Sequence, residues 1–203
     1  EIPLRLVGSE MCIRDRCVLV DTDDPEEVRN VARMLAEALD DVGPRFPRVM
    51  PDEAQAAEIA SVTQVHRCDC FFSGGGIIGG PGDPYRILIC DRTKFMPSPL
   101  FRTVWLSPLS RTDLVPTLRG MRGYLQTAGL ACRQSDLAEL SDILYSAGVD
   151  RITPLDSMSA SYSGEPHDGG YALPRFMRRV SLRTDLPMHG VLSMSQMEEP
   201  EDI

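Results

Sequence analysis

Two periods of apolar spacing run through this chain, and together they predict an alternation of strands and helices. Cys17-Val18-Leu19-Val20 is a short unbroken apolar run closed by Asp21, which predicts a buried strand. Asp23 or Asp24 then caps a helix with Pro25 at its first position and Glu26 and Glu27 in its first turn. Val28, Val31, Ala32, Leu35, Ala38 and Leu39 give that helix its apolar face, and Gly43-Pro44 ends it. A second helix, again opened by Pro, Asp and Glu, is predicted over Pro51 to Val65. Arg67 to Phe72 and a glycine-rich stretch from Ser73 to Pro84 follow.

Arg86 to Cys90 and Arg102 to Leu106 read as further buried strands. A helix is expected around Asp113 to Arg122, with Pro116 in its first turn, and Tyr124 to Ala131 reads as strand or half-buried loop. Ser135 or Asp136 caps a helix through Tyr145 whose face carries Leu137, Leu140, Ile143 and Leu144. Gly148 ends it, and Val149 to Leu155 is a strand. Strands alternating with helices over short connections imply an α/β fold with a largely parallel sheet. After Asp156 the chain turns polar and loop-like up to Tyr171–Arg179, and Arg179 to Leu182 could form a last strand. Residues 186–203, rich in Met, Ser and acidic side chains, read as a disordered tail.

Composition narrows the function classes. The apolar and charged fractions, 42% and 25%, are those of an ordinary globular protein. A net charge of −9 argues against nucleic acid, whose phosphates require a basic stripe. No apolar run reaches the roughly 20 residues needed to span a bilayer, and the first residues lack a signal-peptide pattern. Six cysteines in 203 residues are too sparse for a disulfide scaffold, so a reduced, cytoplasmic setting is the expectation.

Residues 1–16 have neither strand nor helix periodicity. Met11-Cys12-Ile13-Arg14-Asp15, with the Leu-Val-Gly-Ser-Glu before it, resembles the translated end of a transposase sequencing adapter. Residues 1–16 are therefore expected to be non-native, and residues 17–185 to carry the domain.

Few residues announce chemistry on their own. Gly74-Gly75-Gly76-Ile77-Ile78-Gly79 fits the letters of G-x-G-x-x-G, a motif that binds pyrophosphate only between a strand and a helix N-terminus. Gly80-Pro81-Gly82-Asp83-Pro84 cannot open a helix, so a flexible loop is expected. Cys68 and Cys70, beside His66, lack the C-x-x-C spacing of zinc sites and read as semi-buried thiols, while Cys90 and Cys132 read as core. The acidic run Asp21 to Glu27 lacks the spacing and the distal Glu of a calcium loop, so capping explains it better than a metal. His167-Asp168-Gly169-Gly170 is open to two readings: an imidazole oriented by a carboxylate, or a turn closed by Asx hydrogen bonds.

Three blocks carry a family resemblance. Phe95-Met96-Pro97-Ser98-Pro99-Leu100-Phe101-Arg102-Thr103-Val104 resembles F-x-P-S-P-L-x-R-T-V of the LuxC-type fatty acyl-CoA reductases. Gly123-Tyr124-Leu125-Gln126-Thr127-Ala128-Gly129-Leu130 is similar to that family's G-Y-L-Q-T-V-G-L. Gly148-Val149-Asp150-Arg151-Ile152-Thr153-Pro154, then Met158 and His167-Asp168-Gly169, resembles G-V-x-R-I-x-P-x-G-x-M followed by H-D-G. Asp156 stands where the family has Gly.

The resemblance implies the C-terminal part of an aldehyde dehydrogenase-like catalytic domain. It implies reduction of a fatty acyl-CoA or acyl-protein thioester to an aldehyde through an acyl-cysteine, with NADPH bound mainly by an upstream domain. Phe95, Pro97, Ser98, Pro99, Arg102, His167 and Asp168 would lie near substrate, and Arg179 to Leu182 would join a homo-oligomer. The family's nucleophile pattern, C-x-S-P-Q-V-V-x-V, sets Cys12 in register as the nucleophile, although Arg14-Asp15 replaces its Ser-Pro. A non-catalytic binding module and a dehydrogenase of free aldehydes are the alternatives. The fragment alone is expected to be inactive.

Overall fold

The computed structural model describes residues 17–46, 49–160, 162–166, 169–171, 174 and 176. Chain contacts divide it into two units, Glu1–Tyr162 and Ser163–Ile203. In the first, β1 (Cys17–Val20), α1 (Pro25–Val42), α2 (Glu53–Ser73), β2 (Gly76–Ile78), β3 (Arg86–Ile89) and β4 (Thr103–Pro108) build one layered block. Its sheet runs in the order β1-β4-β3-β2. β1 and β3 flank β4 in parallel, with Cys17 opposite Trp105 and Leu88 opposite Trp105, while β2 lies antiparallel on β3. The α/β class with a largely parallel sheet is therefore present.

α1 forms as its sequence directs. The Asp24 side chain accepts from the Glu26 N–H at 2.9 Å, Pro25 begins the helix, and Glu26 and Glu27 oppose the positive end of its dipole. Val28, Ala32 and Ala36 are buried at a spacing of four and meet Ile87, Ile89 and Leu106 of the sheet. Ala36 takes the buried place expected of Ala38, which is exposed, because a spacing of four continues the line from Val28 and Ala32. Burying each of the larger side chains contributes about 1.5–3 kcal/mol.

α2 covers the opposite face and is longer than its apolar pattern predicts. It opens with a capping box: Asp52 accepts from Gln55 N–H at 2.8 Å, and the Gln55 side chain accepts from Asp52 N–H at 2.9 Å. It continues past Val65 to Ser73, turns that the apolar pattern does not mark because the inward line of Ile59, Thr63 and His66 turns polar. Val62 packs with Leu88, Cys90 and Trp105.

The glycine-rich stretch is not the flexible loop expected of it. Gly76–Ile78 is β2, and a Cβ on Gly75 or Gly79 would lie 2.3 Å from Ile89 O or 2.2 Å from Tyr85 O. Glycine at these two positions, both at positive φ, is what lets the hairpin close.

β5 (Thr127–Leu130), α4 (Leu137–Ala147) and β6 (Arg151–Pro154) form a parallel strand–helix–strand unit, preceded by the short helix α3 (Leu114–Leu118). α3 ends sooner than the Asp113 to Arg122 span predicted, with 3-10 turns at Arg111–Asp113 and Arg119–Met121. Leu140, Leu144 and Ala147 bury against Leu109, Leu114 and Leu118, while Leu137 is exposed. Gly148, at φ 103°, closes α4 by donating to the carbonyls of Leu144 and Tyr145. Cys132 is exposed, contrary to its reading as core, because β5 stops two residues before it. Arg111 ties this unit to the first block: it donates to Asp21 at 2.8 Å and to Glu139 at 2.7 Å.

No helix among the described residues is long and apolar enough to cross a membrane. In the second unit Gly164 turns the chain at φ 87°, and Tyr171 and Phe176 are exposed. The predicted strand at Arg179 to Leu182 and the tail at 186–203 lie outside the described residues.

Candidate functional site

After β3 the chain doubles back over β4. Thr93 Oγ1 donates to Pro108 O at 2.8 Å, Ser107 Oγ to Lys94 O at 2.9 Å, and Trp105 Nε1 to Pro97 O at 3.1 Å. These contacts lead residues 93–98 from the carboxyl end of β4 toward its amino end. There Leu100, Phe101 and Arg102 adopt φ of 64°, 48° and 57°. Three successive non-glycine residues in the left-handed region cost about 1–2 kcal/mol each, so the surroundings must hold them.

Ser98 is the main restraint. It is buried, donates to Thr103 O, and accepts from Leu100 N at 3.1 Å. Thr103 N–H donates to Leu100 O at 2.8 Å, Arg86 N–H to Arg102 O at 2.9 Å, and the Arg102 guanidinium to Phe46 O at 3.0 Å. Pro99 is buried, and Met96 and Pro97 are exposed. The amino end of β1 meets the same segment, with Cys17 Sγ 3.9 Å from Lys94 O.

Pro97, Ser98, Pro99 and Arg102 are thus gathered around the amino half of β4, where Ser98 and Arg102 hold backbone, while Phe95 packs with Leu109 and Leu114 past its carboxyl end. Cys12, His167 and Asp168 lie outside the described residues. The other two sequence blocks also converge. β5 and β6 align Ala128 with Ile152 and Gly129 with Thr153. A Cβ on Gly129 would sit 2.4 Å from Met158 Sδ, so glycine is needed for that turn to pack. The Arg151 guanidinium donates to the carbonyls of Met158, at 2.9 Å, and Ala160. Phe95, Leu125, Ala128, Leu130 and Ile152 all pack against one buried cluster that includes Val149. Residues from all three blocks therefore share a core.

A second constellation, of which the sequence marked only His66, Cys68 and Cys70, lies between the end of α2 and the turn after β3. A cavity of about 100 Å³ is lined by residues that include His66, Asp69, Cys90, Asp91 and Lys94. His66 is 2% exposed and stands edge-on to Trp105 at 5.1 Å. Its Nε2 lies 3.1 Å from Ile89 O and 3.2 Å from Gly76 O. Both carbonyls are acceptors, so the ring carries its proton on Nε2, and the buried Nδ1 keeps a lone pair without a partner. Burial lowers the His66 pKa below the ordinary histidine value, and the two carbonyls act against that shift.

Lys94 Nζ pairs with Asp69 at 2.7 Å and stands 5.2 Å over the Trp105 ring. The hydrogen bond from Lys94 holds the Asp69 carboxyl below its usual range. Burial pushes the Cys70 and Cys90 thiols up, away from the thiolate form that attacks electrophiles. Cys68 is exposed and Cys70 half-buried, with Cys70 Sγ 3.5 Å from His66 Nε2. Among the described residues no group of three His, Cys, Asp or Glu is arranged to hold a metal ion. His66 and Cys70 stand one helical turn apart, the spacing that sets both on the same side of α2.

The fold and the gathered blocks define an α/β protein whose distinctive segments meet around one core and one strained turn. The acyl-CoA reductase (LuxC) family model matches residues 9–179, and the chain belongs to that family. No curated protein and no solved structure matches the chain.

Proposed function

We propose that this chain is the part of an acyl-CoA reductase that receives the acyl group, and that the complete enzyme reduces a fatty acyl thioester to an aldehyde with NADPH. The observation that carries the reading is the family match over residues 9–179, joined to the packing of all three blocks on one cluster. In this reading a cysteine thiolate attacks the thioester carbonyl and expels the coenzyme A thiolate. Hydride then reduces the acyl-cysteine to the aldehyde and frees the cysteine. Cys12 is the proposed nucleophile in spite of the adapter-like reading of residues 1–16, because the family match begins at residue 9. It lies within the matched span and five residues ahead of Cys17, whose strand enters beside the Lys94 to Ser98 segment. The raised pKa of Cys70 and of Cys90 makes them poor substitutes.

The glycine-rich stretch does not fit NADPH. Gly74 to Gly79 follow a helix and lead into an antiparallel strand, and the hairpin backbone closes on Ile89 and Tyr85, leaving no cradle for pyrophosphate. We assign the nucleotide to sequence other than these residues and no hydride-transfer role to any residue described. Substrate access past exposed Met96 and Pro97, a cytoplasmic setting and a homo-oligomeric complete enzyme belong to the same proposal.

Acylation tests it without turnover. Incubated with a long-chain acyl-CoA, the chain should gain one hydroxylamine-labile acyl group, mapped by mass spectrometry to Cys12 and absent from Cys12→Ser. Acylation that persists in Cys12→Ser would remove Cys12 from the mechanism. A folded chain that takes up no acyl group would favour a binding module. We expect no NADPH oxidation from the chain alone, and steady turnover would refute the assignment of the nucleotide elsewhere.

A further inference from the structure

His66 ties the last turns of α2 to the sheet. Its Nε2–H is shared between Gly76 O of β2 and Ile89 O of β3, residues that face each other across the hairpin. The ring stands edge-on to Trp105, and its Nδ1 is closed off without a partner. A neutral ring forgoes one hydrogen bond in that position. An imidazolium would bring a charged N–H with no acceptor, and an unpaired buried charge is far costlier.

The acceptor within reach is Asp69. It follows His66 by three residues on α2, the spacing that sets helical side chains beside each other. Its Oδ2 accepts from Lys94 Nζ at 2.7 Å, and its Oδ1 carries no bond among the described residues. The other groups around the ring are committed, uncharged or of the wrong sign. Asp91, in the turn after β3, is held through both oxygens by Arg29 of α1. Lys94 and Arg92, which line the same cavity, are cations. Burial favours the neutral thiols of Cys70 and Cys90, β2 offers the Gly76 carbonyl, and β4 offers Trp105.

A change at Asp69 would be felt through Lys94. Its ammonium pairs with Asp69 and stands over the Trp105 ring. Its backbone N–H donates to Ser107 Oγ at 3.3 Å, and its carbonyl accepts from that hydroxyl and from the Cys17 thiol. The Trp105 indole in turn donates to Pro97 O. The Asp69–Lys94 pair is itself half exposed, and such pairs are weak and readily exchanged. We propose that His66, Asp69 and Lys94 form a proton-operated exchange: protonation of His66 draws Asp69 away from Lys94, and residues 93–98 lose one of the anchors that hold them over β4. The His66 pKa, lowered chiefly by burial, puts the exchange below about pH 6.5. Nothing in it depends on the assignment of Cys12.

Trp105 is the sole tryptophan, so its fluorescence reports on the site directly. In the full chain the emission should titrate in one step below about pH 6.5 while circular dichroism stays constant. His66→Gln should lose that step. Asp69→Asn, a change at a half-exposed side chain, should keep the fold and move the midpoint down by about 1 pH unit, because the imidazolium loses its receiving carboxylate. Hydrogen exchange at the Lys94 amide, corrected for its intrinsic rate, should quicken several-fold across the step and stay level in His66→Gln. Emission that holds flat until the chain unfolds, a midpoint in Asp69→Asn equal to the parent's, or Lys94 exchange indifferent to the step would each overturn the proposal. Should His66→Gln fail to fold, the Asp69→Asn midpoint and the Lys94 exchange decide the matter.

Discussion

The two faces of the first sheet are built from different chemistry. Toward α1, Val28, Ala32 and Ala36 meet Ile87, Ile89 and Leu106, and the one polar group in the cluster, Tyr85 Oη, donates to Ala36 O at 3.2 Å. Toward α2 and the returning segment, the sheet buries Trp105, Cys90, Thr103 and Ser107 against Thr63, His66 and Ser98. Two atoms on that side, His66 Nδ1 and Thr103 Oγ1, have no hydrogen-bond partner. Burying polar groups costs free energy unless every one is paired. An aliphatic face needs only volume to be filled, while a polar face depends on particular partners. The first stabilises the block, and the second positions the 93–102 segment and the cavity beside His66.

That difference makes Leu106→Ala the most damaging of the substitutions considered. Leu106 is fully buried in the α1 cluster, and removing its side chain should cost about 2–5 kcal/mol through lost transfer and the cavity left behind. Urea unfolding followed by circular dichroism checks it. A loss below that of any polar-face variant would show that the aliphatic side is not where stability resides.

Ser98→Ala should come next, at about 1–3 kcal/mol, because Thr103 O loses a donor and Leu100 N an acceptor. The effect should be local as well as global. Hydrogen exchange at Leu100 should accelerate more than exchange at Ile87, since the left-handed run loses its restraint. Uniform acceleration would mean that Ser98 acts on the whole sheet and not on the turn.

His66 supplies a pH test confined to the polar face. Its pKa is lowered in the folded state, chiefly by burial. Below the unfolded value of about 6.5 the unfolded chain binds a proton that the folded chain refuses. Stability from this group is therefore complete above that pH and declines as the pH falls, by at most about 1.4 kcal/mol per unit. His66→Gln, which retains a donor toward Ile89 O, should flatten stability between pH 7 and pH 5 relative to the parent. An equal slope in both proteins would remove His66 as the cause.

The same contrast explains what could be read from sequence. α1 was legible from Asp24 to Gly43 because its buried line is apolar and its ends carry turn chemistry. The last two turns of α2 were not, because Thr63 and His66 look like surface residues until the sheet is placed against them. Cys132 lies just past an apolar run, and nothing local marks where β5 stops. The three blocks were legible as letters, but their meeting around Phe95 and Ile152 depends on pairing β5 with β6 and folding residues 93–98 back over β4, both long-range events. The left-handed run had no local signal, since Leu100, Phe101 and Arg102 are not residues that favour positive φ.

The smallest expected effect separates local start signals from face chemistry. Both helices begin at an aspartate: Asp24 accepts from Glu26 N–H, and Asp52 from Gln55 N–H. A cap acts on the first turn alone, so its worth should not depend on whether the helix covers aliphatic or polar ground. Asp24→Ala and Asp52→Ala should each cost about 1 kcal/mol, measured by urea unfolding, although α1 rests on Val28 and Ile87 and α2 on His66 and Trp105. A much larger loss for Asp52→Ala would mean that α2, with less apolar burial to hold it, depends on its capping box to form. The polar face would then rest on local sequence and the aliphatic one on packing.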